Sequence, residues 1–389
     1  MRKSYNRVGI SALILYGCML VVTSVILGGL IGFFFGFTQM PKIAFSGEID
    51  FEEIMTLLQN FLNSSLFSDI LVLGSVLGAA FGEVIAILII RKVLPKDRVE
   101  PERHRLSFGE FVIIALMAFG LWGVGVYLGN FPEFFGYGIT TGFENADQRF
   151  MVIYTLFAVI GAPVIEELVF RKLFIDSTHK YGETVSVFVS ALLFGLIHGN
   201  SAQFFLAFML GLLFGTVYVR TGNVWLTIAL HLMINLTASL GSVFGFLNID
   251  IDWLMGYLIL ALMIAGLIVL FTNRKRDFLV LKRPFVSDAN RQAFRNPGMI
   301  IAVIGGLLNI AYIDVVFVVN SLLAEWDFLS VIRLIPTTLI IGSVIALVTT
   351  VGHRYQKEEA PVSASSEEPI GESFNDPIDP PSADSGAAY

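Results

Sequence analysis

Long, uninterrupted apolar runs of about 20 residues recur along the sequence. A helix needs about 20 apolar residues to cross the hydrocarbon core of a bilayer. Because lipid offers no partner for a free backbone N–H or C=O group, only helices and closed barrels span it. These runs are too long and too continuously apolar for barrel strands, in which polarity alternates. The sequence therefore predicts an all-α fold, a polytopic transmembrane helix bundle.

The composition agrees with about ten transmembrane helices. Of the 389 residues, 55% are hydrophobic and 15% are charged, whereas soluble domains carry about 25% charged residues. The predicted helices cover residues 8–37, 67–90, 107–129, 150–175, 184–200, 202–219, 224–247, 253–272, 298–323 and 329–351. The first run is too long for the apolar part of a signal peptide, so we expect it to be a retained helix.

Lys and Arg residues fall in alternate loops, with dense groups before residue 8, at 91–105 and at 274–295. The intervening loops near 38–66, 130–148 and 247–252 carry acids and almost no bases. By the positive-inside rule, this predicts that both termini are cytoplasmic and that the protein lies in the cell membrane. The basic loop at 273–297 separates a core within 1–272 from the terminal helix pair 298–351, and the acidic, Pro- and Ser-rich tail 352–389 is predicted to be disordered.

A few ionisable or polar side chains interrupt the apolar runs. A charge at bilayer depth costs at least ~2.5–3.5 kcal/mol, so each one is a candidate functional group. They are Glu83, Glu166, Glu167, Arg171, His198 and His231, accompanied by Asn235.

The fourth run contains the pattern E-E-x-x-x-R. Glu167 and Arg171 are four residues apart, so they share one helix face and can neutralise each other. Glu166 points about 100° away and has no cation at the same spacing. We therefore expect its carboxylate to face another helix, a metal or water, and to be suited to act as a general base.

Two further motifs place a histidine on one helix face with a second side chain. Phe194 and His198 are four residues apart in the fifth run, and His231 and Asn235 have the same spacing in the seventh. If the three faces converge, one carboxylate, two imidazoles and one carboxamide can position and deprotonate a water molecule and stabilise an oxyanion. At ~1.5 Å per residue, this requires the fourth helix to continue to about Lys180 and the turn 221–223 to be recessed.

Each motif alone also has a purely structural interpretation. Glu167 with Arg171 is compatible with a structural ion pair, each histidine and Asn235 with hydrogen bonds between helices, and Phe194 with packing. Glu83 fits none of the motifs and is interpreted as a partner for a neighbouring helix or as a cavity residue. Three costly polar placements within about seventy residues are harder to explain by packing, which favours a functional site.

At these residues the chain resembles the CPBP family of intramembrane proteases, also called the CAAX-protease or Abi family. The family's markers are E-E-x-x-x-R, F-x-x-x-H and H-x-x-x-N/D, and all three occur here in order, within about residues 150–240. The resemblance implies an eight-helix protease-like core that hydrolyses a peptide bond of a membrane-embedded or lipid-modified polypeptide. It implies that Glu166 and His198 activate water, that His231 and Asn235 stabilise the oxyanion, and that Glu167 and Arg171 support them.

The family has been described both as metalloproteases and as metal-independent glutamate proteases. Glu166, His198 and His231 could supply three ligands to a catalytic zinc ion, but no H-E-x-x-H motif is present, which slightly favours the metal-independent form. Lys172 stands where the family commonly has a small residue.

Two other functions remain open from the sequence. One is a non-catalytic scaffold that binds a membrane-protein partner through 298–351 or the acidic tail. The other is a proton-coupled transporter, which the lack of paired halves with interrupted helices disfavours. No motif indicates nucleic-acid binding.

Overall fold

A computed structural model describes residues 1–46, 51–101, 105–129, 147–246, 249, 251–273, 281 and 292–322. The principal helices are α1 (Arg2–Ser46), α2 (Phe51–Leu62), α3 (Ser65–Val93), α4 (Phe108–Gly129), α5 (Gln148–Tyr181), α6 (Glu183–Ile197), α7 (Ser201–Thr221), α8 (Val224–Gly245), α9 (Asp252–Asn273) and α10 (Pro297–Leu322). The described part of the chain contains no strand.

Eight of the described helices are long and apolar enough to cross a membrane. This confirms the predicted all-α, polytopic fold and makes the chain a multi-pass membrane protein. The predicted helix 329–351, the tail 352–389 and most of the basic loop 273–297 lie outside the described residues.

Two predicted boundaries were wrong. The run 184–200 forms only the 15-residue helix α6, which is not among the membrane-spanning candidates, because the chain turns at Gly199, where φ is +74°. The segment 38–66 was expected to be a loop, yet α1 continues to Ser46 and α2 follows. The apolar residues of α2 recur at helical spacing, which is typical of an amphipathic helix.

The bundle places α5 among the helices that carry the other motifs. α1 packs along α3 and α10, α4 packs against α7 and α9, and α6 pairs with α7. α5 contacts α3, α6 and α8. Close approach depends on small residues in places, for example where Gly120 of α4 crosses Gly266 of α9 with their backbones in contact.

α5 is one helical rod interrupted by two π-helical segments, Phe157–Gly161 and Leu168–Ile175. In the first of them the N–H of Ala162 bonds to the carbonyl of Phe157, five residues back. In the same pattern the partner of the Ala158 carbonyl would be residue 163, which is a proline without an N–H group. The sequence of α5 therefore leaves one backbone carbonyl open, about two turns before the acidic pair.

Candidate active site

The acidic motif on α5 begins with a fully buried ion pair. The Nε of Arg171 lies 2.9 Å from Glu167 Oε2, and its Nη2 donates to Oε1 at 3.1 Å. Both side chains have no exposed area. Arg171 also donates to the Ser190 hydroxyl of α6 at 3.3 Å. The pair therefore combines one charge-assisted hydrogen bond with a close Nε–Oε2 contact, and through Ser190 it joins α5 to α6.

His231 of α8 lies between the two neighbouring carboxylates. Its Nδ1 is 3.2 Å from Glu167 Oε1, and its Nε2 is 3.7 Å from Glu166 Oε2. Glu167 accepts from Arg171 and from the imidazole at the same time, so it can only fix the ring in place. Glu166, whose side chain keeps 18% of its exposure, faces the opposite ring nitrogen. The predicted convergence of Glu166 with a group from another helix is present here.

Asn235, one turn further along α8, lies against the first π-helical segment of α5. Its Nδ2 donates to the Ala158 carbonyl at 2.8 Å, the carbonyl that Pro163 leaves open. A carboxamide nitrogen carries two hydrogens, so one N–H of Asn235 is used here and the other is left to donate elsewhere. Asn235 thus joins α5 and α8, as its structural interpretation from the sequence had it, and the sequence had not shown which carbonyl it binds.

His198 is the C-cap residue of α6 and is only partly buried. Its Nδ1 lies 2.8 Å from the Phe194 carbonyl. Because a carbonyl oxygen only accepts, Nδ1 carries the hydrogen, and in the neutral ring Nε2 is then left with its lone pair. His198 therefore presents a proton acceptor on its outer side. Among the described residues it forms no hydrogen bond or ion pair with Glu166.

Phe194 connects the two histidines and the ion pair. Its ring centroid is 5.1 Å from that of His198 and 5.8 Å from that of His231, with both pairs near perpendicular. The Arg171 guanidinium lies 5.0 Å from the centre of the same ring. The F-x-x-x-H motif thus supplies an aromatic ring that packs against both histidines.

One of the two conditions for the motifs to meet is fulfilled, because α5 continues to Tyr181. At the turn 221–223, Thr221 and Gly222 are buried against protein, and the depth of the turn in the membrane stays a prediction. This turn lines a cavity of about 820 Å³ together with the start of α4, the start of α8 and Lys172. Leu226 of the cavity wall is five residues before His231, so the cavity ends less than two helical turns from the candidate site.

Glu83 lies on α3, which packs against the start of α5. The side chain is 4% exposed, and its Oε2 has no hydrogen-bond partner among the described residues. The lone acid that the sequence showed in an apolar run is therefore buried inside the bundle.

The described residues contain no group of three or more His, Cys, Asp or Glu side chains that could hold a metal ion. Glu166, His198 and His231 do not form such a group in the described structure. The Nδ1 atoms of His231 and His198 are engaged by Glu167 and by a carbonyl, as is common for zinc-ligating histidines, so their Nε2 atoms would be the ligands. These three residues as zinc ligands stay a prediction.

Comparison with known proteins decides the family of this site. Residues 148–237, which hold all three motifs, match the family model described as type II CAAX prenyl endopeptidase Rce1-like. The motif-bearing part of the chain is similar to the CAAX-protease family. This confirms the resemblance inferred from the three motifs, and the CAAX-protease segment runs from α5 into α8.

One curated relative matches over a longer stretch. The chain is 25% identical over 158 residues to a Bacillus subtilis (strain 168) protein described as "Putative membrane peptidase YdiL". The match covers 39% of this chain and 64% of that protein, so the chain spans less than two thirds of its relative's length. No solved structure shows significant similarity to the chain. The roles of the individual CAAX-protease motif residues here rest on the geometry described above.

Proposed function

We propose that this chain is an intramembrane endopeptidase that hydrolyses a peptide bond of a lipid-modified or membrane-embedded polypeptide, with both termini in the cytoplasm and the bundle in the cell membrane. One observation carries the proposal. Glu166 is the only charged residue of the E-E-x-x-x-R motif whose side chain keeps any exposure, and it faces an imidazole whose other ring nitrogen is held by Glu167. A purely structural ion pair between Glu167 and Arg171 would need neither the His231 imidazole nor the Glu166 carboxylate beside it.

Glu166 and His198 are proposed to activate the hydrolytic water. A water molecule beside the Glu166 carboxylate loses a proton to it or to Nε2 of His198, which is the ring nitrogen with the free lone pair. The resulting hydroxide adds to the scissile carbonyl. The proton then passes to the amine that leaves, and the two products are a new carboxylate and a new N-terminus.

His231 and Asn235 are proposed to stabilise the tetrahedral oxyanion. When the imidazole is doubly protonated, Nδ1 donates to Glu167 while Nε2–H is left to donate on the Glu166 side. The second N–H of Asn235 is one helical turn away on the same face. Two fixed donors in a site with little water stabilise developing negative charge far better than they would in bulk solvent.

The cavity beside the turn 221–223 gives the substrate a route to these groups. Its rim carries Phe108 and Trp225, which are 81% and 69% exposed. Exposed aromatic rings are typical of the membrane–water interface. We propose that a polypeptide tethered to the bilayer by its lipid enters here, on the side of the basic loops, and extends toward His231.

A cleavage assay tests the proposal. The full chain, reconstituted in nanodiscs, is given a quenched fluorescent peptide that ends in a farnesylated cysteine followed by three residues, and the same peptide without the farnesyl group. We expect the farnesylated peptide to be cut, and Glu166→Gln to lower the rate by about 10²–10⁴-fold, as expected for loss of a general base. A transmembrane peptide serves as the third probe.

Glu52→Gln on α2, at the opposite side of the bundle, is the matched control and should cleave at the wild-type rate. Cleavage by Glu166→Gln at the same rate as the wild type would remove the proposed mechanism. Failure of the wild type to cut any of the three probes would contradict the proposed peptidase activity, and a cellular phenotype that survives Glu166→Gln would then support the scaffold.

A further inference from the structure

Gly199, in the turn that follows His198, is buried. α6 has 15 residues, which gives it a length of only about 22 Å, whereas the hydrocarbon core is about 30 Å thick. α7, which begins in the same turn, has 21 residues and is long enough to span the core. The turn therefore places irregular, buried backbone between a short helix and a spanning one.

This turn departs from helical backbone where lipid cannot solvate it. Gly199 has a φ of +74°, and α7 does not begin until Ser201. Asn200 is partly used locally, since its Nδ2 donates to the His198 carbonyl at 3.1 Å. Irregular backbone at membrane depth is tolerated only when protein groups satisfy it. The remaining carbonyl of Gly199 and N–H of Ser201 need partners from another helix.

α10 supplies both partners. The Asn309 carboxamide donates to the Gly199 carbonyl at 3.4 Å, and Oδ1 of Asp314 accepts from the Ser201 N–H at 3.2 Å. Counting from Pro297 at ~1.5 Å per residue, these two side chains lie about 18 and 25 Å along α10. The length of α6, about 22 Å, falls between these two values, so both side chains can reach the turn at its end.

α10 is held firmly enough to define the position of the turn. Gly306 packs on Leu196 of α6, so closely that a Cβ on the glycine would lie 2.9 Å from the leucine Cβ. At the start of α10, the Gly298 N–H donates to Oδ1 of Asn6 at 2.7 Å, and Gly9 crosses Gly298 with the backbones in contact. α10 is thus fixed on α1 at one end and on α6 near its middle.

We propose that Asn309 and Asp314 are positioning residues of the active site, which hold His198 in place through the turn 199–201. Both lie outside the residues 148–237 that match the CAAX-protease family model. An acid in an apolar transmembrane helix costs at least ~2.5 kcal/mol, and here its carboxylate caps α7 directly behind His198. On this basis α10 is part of the working site, a role that adds to the proposed function and rests on it.

The test compares a double variant with a lipid-facing control. In Asn309→Ala with Asp314→Ala both bonds to the turn are lost, whereas Leu308→Ala with Val315→Ala changes neighbours that are 58% and 59% exposed. With the farnesylated peptide, we expect the first variant to lose about tenfold or more in kcat with KM within twofold, because a small displacement of a catalytic group is costly. The control should match the wild type.

A conservative variant separates positioning from charge. Asp314→Asn keeps an oxygen that accepts from Ser201 N–H, so we expect it to retain activity within about twofold, as its bond to the turn is preserved. Loss of activity in Asp314→Asn equal to that in Asp314→Ala would overturn the proposed positioning role. A double variant with unchanged kcat, or with a change in KM alone, would overturn it as well.

A second measurement does not depend on peptidase activity. Diethyl pyrocarbonate modifies accessible imidazoles, and peptide mass spectrometry follows His198 and His231 separately. If the turn holds His198, the double variant should change the modification rate of His198 at least severalfold and leave that of His231 unchanged. Equal rates for His198 in the wild type and the double variant would refute the inference even if no cleavage is found, so its failure is distinct from failure of the proposed function.

Discussion

Glu166 and Glu167 are adjacent in sequence but have different surroundings. Glu167 is fully buried and is held by Arg171 and His231, so all of its charge is compensated by protein groups. Glu166 is partly exposed, and its nearest cation-forming group is the His231 ring at 3.7 Å. The comparison shows that a single helical step of about 100° separates a carboxylate that holds helices together from one that is left open to react.

The largest expected effect on stability follows from removing the charge of Glu167, whose carboxylate is paired with protein groups. Glu167→Gln leaves the Arg171 guanidinium buried without its counter-charge, and we expect a loss of about 3–5 kcal/mol in the free energy of unfolding, as for other buried pairs from which one partner is removed. The measurement is equilibrium unfolding of the purified protein in mixed micelles with increasing SDS.

Glu166→Gln is the matched control, because it replaces the carboxylate of the neighbouring glutamate by the same carboxamide. We expect it to unfold within about 1 kcal/mol of the wild type, as is usual away from such buried features. If both variants lose the same stability, the division between a structural and a reactive carboxylate is wrong.

Asn235 sharpens the comparison because we expect it to contribute both to catalysis and to the packing of α8 on α5. Asn235→Ala removes an oxyanion donor, which in other hydrolases costs about 10²–10³-fold in kcat, and leaves the Ala158 carbonyl without its bond, at a cost of about 1–3 kcal/mol. Cleavage kinetics and SDS unfolding on the same preparation check both numbers. Asn235→Leu, which keeps the approximate size but removes the donors, should lose activity in the same way. A variant that lost only stability would limit Asn235 to its contact with α5.

A smaller effect is expected at the end of α5 on the side of the basic loops. Lys172 pairs with Glu100 and with Asp176, the latter at 3.3 Å. The lysine is 31% exposed, so Lys172→Ala should cost only about 0–1 kcal/mol. SDS unfolding measures this, and a loss as large as that for Glu167→Gln would show that exposure does not separate the two ion pairs.

The ion pair between Lys180 and Asp97 can be tested by NMR titration. Its ammonium bonds to Asp97 and holds the pKa of that loop carboxyl below its ordinary value. With Lys180→Ala we therefore expect the Asp97 pKa to rise toward that of a free aspartate, followed by NMR titration of the labelled carboxyl carbon. An unchanged pKa would mean that the pair does not form in solution.

Metal removal is expected to have no effect. Because Glu166, His198 and His231 do not form a ligand group as arranged, dialysis against a chelator should leave the rate of peptide cleavage unchanged. Loss of activity on chelation, restored by zinc, would show that these residues rearrange around a metal and would reverse the preference for the glutamate mechanism.

The sequence predicted the helical fold and the meeting of α5 with α8 because both depend on strong signals. Apolar runs report the membrane directly, and four-residue spacing places Glu167 with Arg171 on one face whatever the tertiary contacts are. The orientation of Glu166 toward another helix was also inferred correctly, from its lack of a cation on its own helix.

Contacts between distant segments could not be predicted in this way. The contact of Asn235 with the Ala158 carbonyl depends on a π-helical segment that no spacing rule indicates, and the burial of Glu83 depends on how α3 packs in the bundle. Asp314 was different, because it lies in the predicted run 298–323 and an acid in such a run is itself a signal. No spacing links it to the three motifs, and its contact with the turn after His198 arises only from the packing of α10.

The two π-helical segments of α5 have a consequence for how this protein tolerates change. Each accommodates about one more residue than an α-helix of the same length, and π-bulges of this kind arise as single-residue insertions. Deleting one residue within Phe157–Gly161 is therefore expected to restore ordinary pitch and to keep Glu166 on its present face. The same deletion within the α-helical residues 162–165 would instead rotate Glu166 by about 100° relative to the preceding turns. The first π-helical segment is thus a place where the helix upstream of the motif can absorb a change in length.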